Sequence, residues 1–208
     1  MQLRGTKMAR KTQISKEVIL ETALKILIRD GYSAVNIKTL SKEIGCSTQP
    51  LVWHFDNMEG LRKALAEYAL MYANEKMRPS ADGAVNAFEQ VGRAYIKIAL
   101  HEPNLFKFVF LNGSGCYPTG NANMLTEDKD HAELIKMIAK EFQISEQNAG
   151  KYIQNSVIYT HGLATFISTG IMSMPEEEII ALINQAGNNF LNQAGVPLDK
   201  IAQHYEGN

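Results

Sequence analysis

Residues 36–55 read NIKTLSKEIGCSTQPLVWHF, and their punctuation decides the architecture. Asn36 is a side-chain acceptor ahead of Ile37, Leu40 and Ile44, an apolar stripe at helical spacing. Gly45 closes that short helix. Ser47 caps a second one, TQPLVWHF, with Pro50 early enough that its missing N–H forfeits no helical bond. Two short helices joined by Gly45-Cys46-Ser47 have the layout of a helix-turn-helix, whose second helix enters the DNA major groove. The same spacing also fits an ordinary helical hairpin inside a bundle. Thr48 and Gln49 supply short polar groups at the second helix's start, and a Gln can bond adenine through two hydrogen bonds.

The flanks extend the helical pattern. In ISKEVILETALKILIRDGY (14–32), Ser15 caps a helix whose apolar face carries Ile19, Ala23, Ile26 and Leu27, and Gly31 supplies the left-handed stop. Asn57 caps a helix from Met58 to about Met77, ended by Arg78-Pro79. Further helices are predicted over 84–102, from Pro103 through PNLFKFVFLN, from Leu125 to Phe142 and from Ser145 to about Met172. NGSGCYPTGNAN (112–123) reads as a loop. Pro175 opens the last helix, with Glu176, Glu177 and Glu178 where the helix dipole favours acids. It stops near Gly195-Val196-Pro197, and the tail is expected to fray. With no internal repeat and no convincing strand, the expected fold is all-α, with about nine helices.

Composition narrows the function. The chain has 208 residues, 45% apolar and 21% charged, enough to bury a sizeable core. It lacks an uncharged apolar run of about 18 residues, and no apolar core follows the basic start, so neither a spanning helix nor a secretory signal is expected. Two cysteines, Cys46 and Cys116, make no disulfide framework or zinc set, and a cytoplasmic setting is the simplest one. The net charge of −1 hides an asymmetry: residues 1–60 hold nine Lys/Arg against six Asp/Glu. A basic start on an acidic body hints at a polyanion partner for one end. No Gly-rich phosphate loop, metal-spaced His/Cys set or nucleophile elbow is present, so no catalytic residue, metal or cofactor is expected and the chain is not read as an enzyme. Glu127, Asp128, Asp130 and His131 read as the solvated, N-capping start of a helix in preference to a metal site.

The stretch from Ile14 to Leu65 resembles the DNA-binding domain of the tetracycline-repressor (TetR) family of transcriptional regulators. The residues that carry the likeness are Ile19-Leu20, Ala23-Leu24, Gly31-Tyr32, the run Leu40-Ser41-Lys42-Glu43-Ile44-Gly45-Cys46-Ser47, then Leu51, His54-Phe55, Glu59 and Leu61. The resemblance implies a helix-turn-helix domain of three helices over 14–60 and a helical effector-binding and dimerisation domain over 61–195, with 1–13 and 196–208 as flexible termini. It implies a homodimer, paired through the helix from Ser145 and the helix opened by Pro175, whose two N-terminal domains grip a palindromic operator. A small apolar or amphipathic effector would release it. The segment from Tyr95 through HEPNLFKFVF, with His161-Gly162, is similar to the family's Trp-His-Gly subtype, although Thr160 stands where that motif has Trp.

Two positions depart from the family pattern. Members usually carry Tyr where this chain has Val52 and Lys where it has Met58, and both typically contact phosphates. Val and Met make no charge-assisted or hydroxyl bond to a phosphate. Lys38, Lys42, Trp53, His54 and the basic start remain available. The alternative to a regulator is therefore a helical small-molecule-binding dimer whose DNA role has weakened.

The expected DNA contacts are Lys38, Thr39, Ser47, Thr48, Gln49, Trp53 and His54, with Thr48 and Gln49 as base readers. His54 also suits packing, and Trp53 also suits a half-buried core position. Expected effector contacts are Tyr95, His101, Phe106, Phe110, Tyr159, His161 and Phe166, since a ligand site needs a few polar groups in an apolar cavity. At helical spacing the same residues also fit a plain core. Gly162, Ala164 and Gly170 are small enough for close helix crossing.

Overall fold

A computed structural model describes residues 14–80, 83–111 and 129–206. The basic start (Arg4, Lys7, Arg10, Lys11), the expected loop at 112–123 with Cys116, and Glu127 and Asp128 lie outside them. The helices are α1 (Lys16–Asp30), α2 (Ile37–Ile44), α3 (Gln49–Phe55), α4 (Met58–Met77), α5 (Ala84–His101), α6 (Pro103–Phe106), α7 (Lys129–Phe142), α8 (Glu146–Ser168), α9 (Glu176–Gln193) and α10 (Leu198–Glu206). The described residues are all-helical, as expected, and contain no strand and no helix long and apolar enough to cross a membrane.

The chain divides into two compact units, Met1–Leu65 and Ala66–Asn208. In the first, α1 buries Ile19, Leu20, Ala23, Leu24, Ile26 and Leu27 and packs against α2, which contributes Leu40. Leu51 and Phe55 of α3 and Leu61 and Leu65 of α4 are also buried. The caps follow the sequence: Ser15 accepts from Val18 N at 3.3 Å, Asn36 from Thr39 N at 3.0 Å, and Asn57 from Glu59 N and Gly60 N, each at 2.9 Å. Gly45 sits in the left-handed region at φ 74°, ψ 33°, where a Cβ would be strained. Gly31 departs from expectation: its φ of 85° is positive, but ψ is 169°, so the chain runs out extended into a short 3-10 turn over Tyr32–Ala34.

In the second unit, α8 packs on α5, α7 and α9, and α5 also meets α6, α7 and α9. A core of Val85, Ile138, Phe142, Tyr152, Ile153 and Leu191 lies among them. Four expectations are corrected here. The tail does not fray: α10 packs on α9 and buries Ile201 in that core. PNLFKFVFLN is not one regular helix, because α6 gives way to a π-helical turn over Lys107–Leu111. α8 stops at Ser168, with Gly170 at φ 76° beyond it. At the head of α3 the capping position belongs to Thr48, whose side chain makes no cap bond, and Ser47 is not the cap.

Candidate DNA-reading face and effector cavity

Helix α3 of the first unit is held from behind. Leu51 and Phe55 are buried while Val52 and Trp53, on the opposite side of the turn, are 44% and 69% exposed. The core reading for Trp53 therefore does not hold. Lys38, Ser47, Thr48 and Gln49 are exposed with it, whereas Thr39 and Met58 are half-buried. His54 is half-buried and its Nε2 lies 2.9 Å from the carbonyl oxygen of Ile14. That oxygen only accepts, so Nε2 carries a proton and donates. Lys16 stands 5.7 Å from the Phe55 ring centroid, a second tie between the end of α3 and the start of α1. At the other end of α1, Arg29 bridges to Glu43 on α2 at 3.0 Å. Nothing in this frame uses Thr48 or Gln49, which leaves their side chains available on the face of α3.

In the second unit, α5, α8 and α9 enclose a cavity of about 520 Å³. The wall from α5 includes Phe88, Glu89, Val91, Gly92 and Tyr95; α8 gives Tyr152, Ser156, Val157, Thr160 and His161; α9 gives Ile183, Asn184 and Gly187. Phe110 arrives from the π-helical turn, its ring 4.8 Å from that of Tyr95. The Tyr95 hydroxyl and His161 Nδ1 are 2.7 Å apart. Burial pushes the His161 imidazole below its ordinary pKa and favours its neutral form.

The expected effector contacts thus separate. Tyr95, Phe110 and His161 line the cavity, and Phe106, fully buried, backs Tyr95 at 5.0 Å between ring centroids. The other three lie away from the wall. His101 is exposed and bonds Glu176 at 2.9 Å, an interaction that, with Lys97, holds the Glu176 carboxyl below its usual range. Tyr159 meets Phe190, and Phe166 is 46% exposed. The reason is helical phase: at about 100° per residue, positions 159 and 166 share a face turned about 140–160° from that of 161.

The polar groups that α5 and α9 bring to the cavity, Glu89 and Asn184, carry no sequence signal of their own. Arg93 donates to Glu89 Oε2 at 3.2 Å and to Asn184 Oδ1 at 3.1 and 3.3 Å, joining α5 to α9. Small residues make the space: a Cβ added to Gly92 or Gly162 would meet nothing within 4 Å. Within one copy of the chain, neither Gly162 nor Gly170 marks a tight crossing of two of its own helices.

α2 and α3, joined at Gly45-Cys46-Ser47 with the outer face of α3 exposed, have the layout of a helix-turn-helix. Residues 19–65 match the family model for bacterial regulatory proteins of the tetR family. A curated relative, an uncharacterized HTH-type transcriptional regulator of Mycobacterium tuberculosis, is 37% identical over 57 residues, 27% of this chain and 26% of that protein. The chain thus aligns with about a quarter of the length of that curated relative. Among solved structures, TetR from Acinetobacter baumannii AYE superposes with a TM-score of 0.58 at 18% identity, over 86% of this chain and 96% of that one. A variant of TetR from the same organism, in complex with minocycline, gives 0.56 at 16% identity with the same coverage. At this identity the two structures speak for the fold. The family likeness is carried by residues 19–65 of the first unit, and the likeness of fold extends over 86% of the chain.

Proposed function

We propose that the chain is a homodimeric repressor that leaves a palindromic operator when a small apolar or amphipathic molecule fills the second unit. The observation that carries this reading is the free face of α3, where Thr48, Gln49 and Trp53 are exposed while Leu51 and Phe55 anchor the helix behind them. Lys38 on α2 and the backbone at Ser47 supply phosphate contacts beside it. Tyr159 and Phe166, exposed on one face of α8, favour pairing of two copies through α8 and α9. α4 runs unbroken from Met58 to Met77 and so spans the end of one unit and the beginning of the next. Ligand binding shifts α4 and changes the separation of the two reading helices. Half-sites must lie about 34–36 Å apart, so a small shift breaks simultaneous docking. A coupling of about 1–3 kcal/mol suffices.

The test is selection from a random duplex library followed by titration at several salt concentrations. A palindromic consensus bound about a thousand-fold above bulk DNA is the expected result. Weak, sequence-blind binding would instead favour the ligand-binding dimer with a weakened DNA role, which Val52 and Met58 motivate. The fold and the family match over residues 19–65 support a regulator.

A further inference from the structure

We infer that the cavity between α5, α8 and α9 selects an uncharged, ring-bearing ligand with one or two neutral oxygens, hydroxyl or carbonyl, and rejects carboxylates and phosphates. The inference rests on the reading of the second unit as the effector holder and names the effector's chemistry.

The shape of the wall selects rings. Tyr95 and Phe110 meet edge to face with centroids 4.8 Å apart, and Phe88 and Tyr152 do so at 5.6 Å. Two such pairs on one cavity offer both ring faces and ring edges to a flat guest. Val157 and Ile183 complete an apolar lining.

The charge of the wall excludes anions. Among the described residues that line the cavity there is no Lys or Arg. The undescribed segment 112–128 also contains neither. The one acidic side chain in the wall, Glu89, already faces the Arg93 guanidinium at 3.2 Å. His161, displaced by burial toward its neutral form, adds no positive charge. A carboxylate brought here would shed its hydration and find no cation in the wall to replace it. A cation fares little better, since the carboxylate it needs is engaged.

The unmatched hydrogen-bonding groups ask for a neutral oxygen. Ser156 lines the cavity at 9% exposure, and its Oγ is buried without a partner, so rotation about χ1 toward the cavity would bring it to a ligand oxygen. A buried hydroxyl without a partner is costly, and a ligand oxygen removes that cost. Asn184 presents its Oδ1 to two Arg93 donors, which fixes the amide's orientation and leaves the NH2 as a donor with no recorded protein partner. His161 spends Nδ1 on Tyr95. Its Nε2 is then a donor or an acceptor according to tautomer, and a hydroxyl satisfies either.

The experiment is calorimetric titration of the full chain with a matched set: 2-naphthol, 2-naphthoate, 2-naphthylmethylammonium and naphthalene. The expected result is that 2-naphthol binds on the order of ten-fold or more tighter than either charged analogue. Ser156→Ala should weaken 2-naphthol roughly three- to ten-fold and leave naphthalene unchanged. Thr160→Lys, which puts a cation into the wall, should shift preference toward 2-naphthoate, with circular dichroism checking that the variant is folded. Equal or tighter binding of 2-naphthoate by the native chain overturns the inference, as does failure of 2-naphthol to bind at its solubility limit. These readouts use no DNA. A chain that prefers 2-naphthol but selects no operator fails the regulator reading alone, whereas one that selects an operator yet prefers 2-naphthoate fails only this inference.

Discussion

Gly60→Ala should loosen α3 without touching any residue on its exposed face. A Cβ built on Gly60 falls 2.2 Å from the carbonyl oxygen of Phe55 and 3.2 Å from its carbon. The obstacle is backbone, so no side chain can swing aside. Van der Waals contact requires opening the α3–α4 corner by about 1 Å. That movement also strains the Asn57 cap, whose Oδ1 holds Glu59 N and Gly60 N at 2.9 Å. Overpacking of this kind costs about 1–3 kcal/mol and a weakened cap about 1, against a helix-propensity gain of about 0.5–1. The net is a loss of about 2 kcal/mol. With an m-value near 2 kcal/mol/M, the urea midpoint followed by far-ultraviolet circular dichroism should fall by about 1 M. Hydrogen exchange should speed up across α3. Gly162→Ala is the matched control, since its Cβ meets nothing within 4 Å and the substitution should hold or raise the midpoint. A Gly60→Ala midpoint at or above that of the native chain would refute the close-approach argument.

Other expectations follow from single contacts. Asn36→Ala removes the acceptor of Thr39 N and should cost about 1 kcal/mol in the same urea assay, with exchange rising at the start of α2. Met58→Lys should steepen the dependence of operator affinity on salt; one added phosphate contact per subunit changes the logarithmic slope by about 1.8 per dimer, and an unchanged slope would place position 58 off the backbone. His161 titrates in the unfolded chain near its ordinary value but lower in the fold, so the unfolded state takes up the proton first as pH falls. Its contribution to stability is fully present above that ordinary value and is lost as pH drops through the lowered one. His161→Phe should flatten the fall in urea midpoint over that acidic window, and an unaltered pH profile would remove the argument.

The local punctuation of the first unit was legible because caps act over three or four residues. Ser15, Asn36 and Asn57 make the bonds their positions foretell, and Gly45 takes the left-handed geometry its place requires. Ser47 misled because Thr48 adopts helical angles of its own, φ −71° and ψ −14°, and moves the cap one residue on without a side-chain bond. α10 was illegible for a different reason. Its apolar content is thin, and the burial of Ile201 comes from a core assembled by α5, α7, α8 and α9, which no nine-residue window records. The cavity falls between these cases. Tyr95, Phe110 and His161 stood out as aromatic or polar groups in apolar helices. Glu89, Ser156 and Asn184 acquire meaning only once the phases of three helices are known, and phase is what displaced Tyr159 and Phe166 from the wall.

The chain contains a single tryptophan, and it is Trp53, 69% exposed on α3. The cavity wall, rich in Tyr and Phe, holds no indole at all. Emission excited selectively from indole therefore reports one helix in the first unit and is blind to the second. On the proposed docking of α3, adding DNA should change it directly. Adding a transparent ligand without DNA should change it only after a rearrangement has passed from Ala66–Asn208 into Met1–Leu65. A silent titration with proven binding would mean that the message travels no further than the unit that received it. The native chain thus carries an optical reporter on its output side alone, and no label has to be attached to watch the two halves communicate.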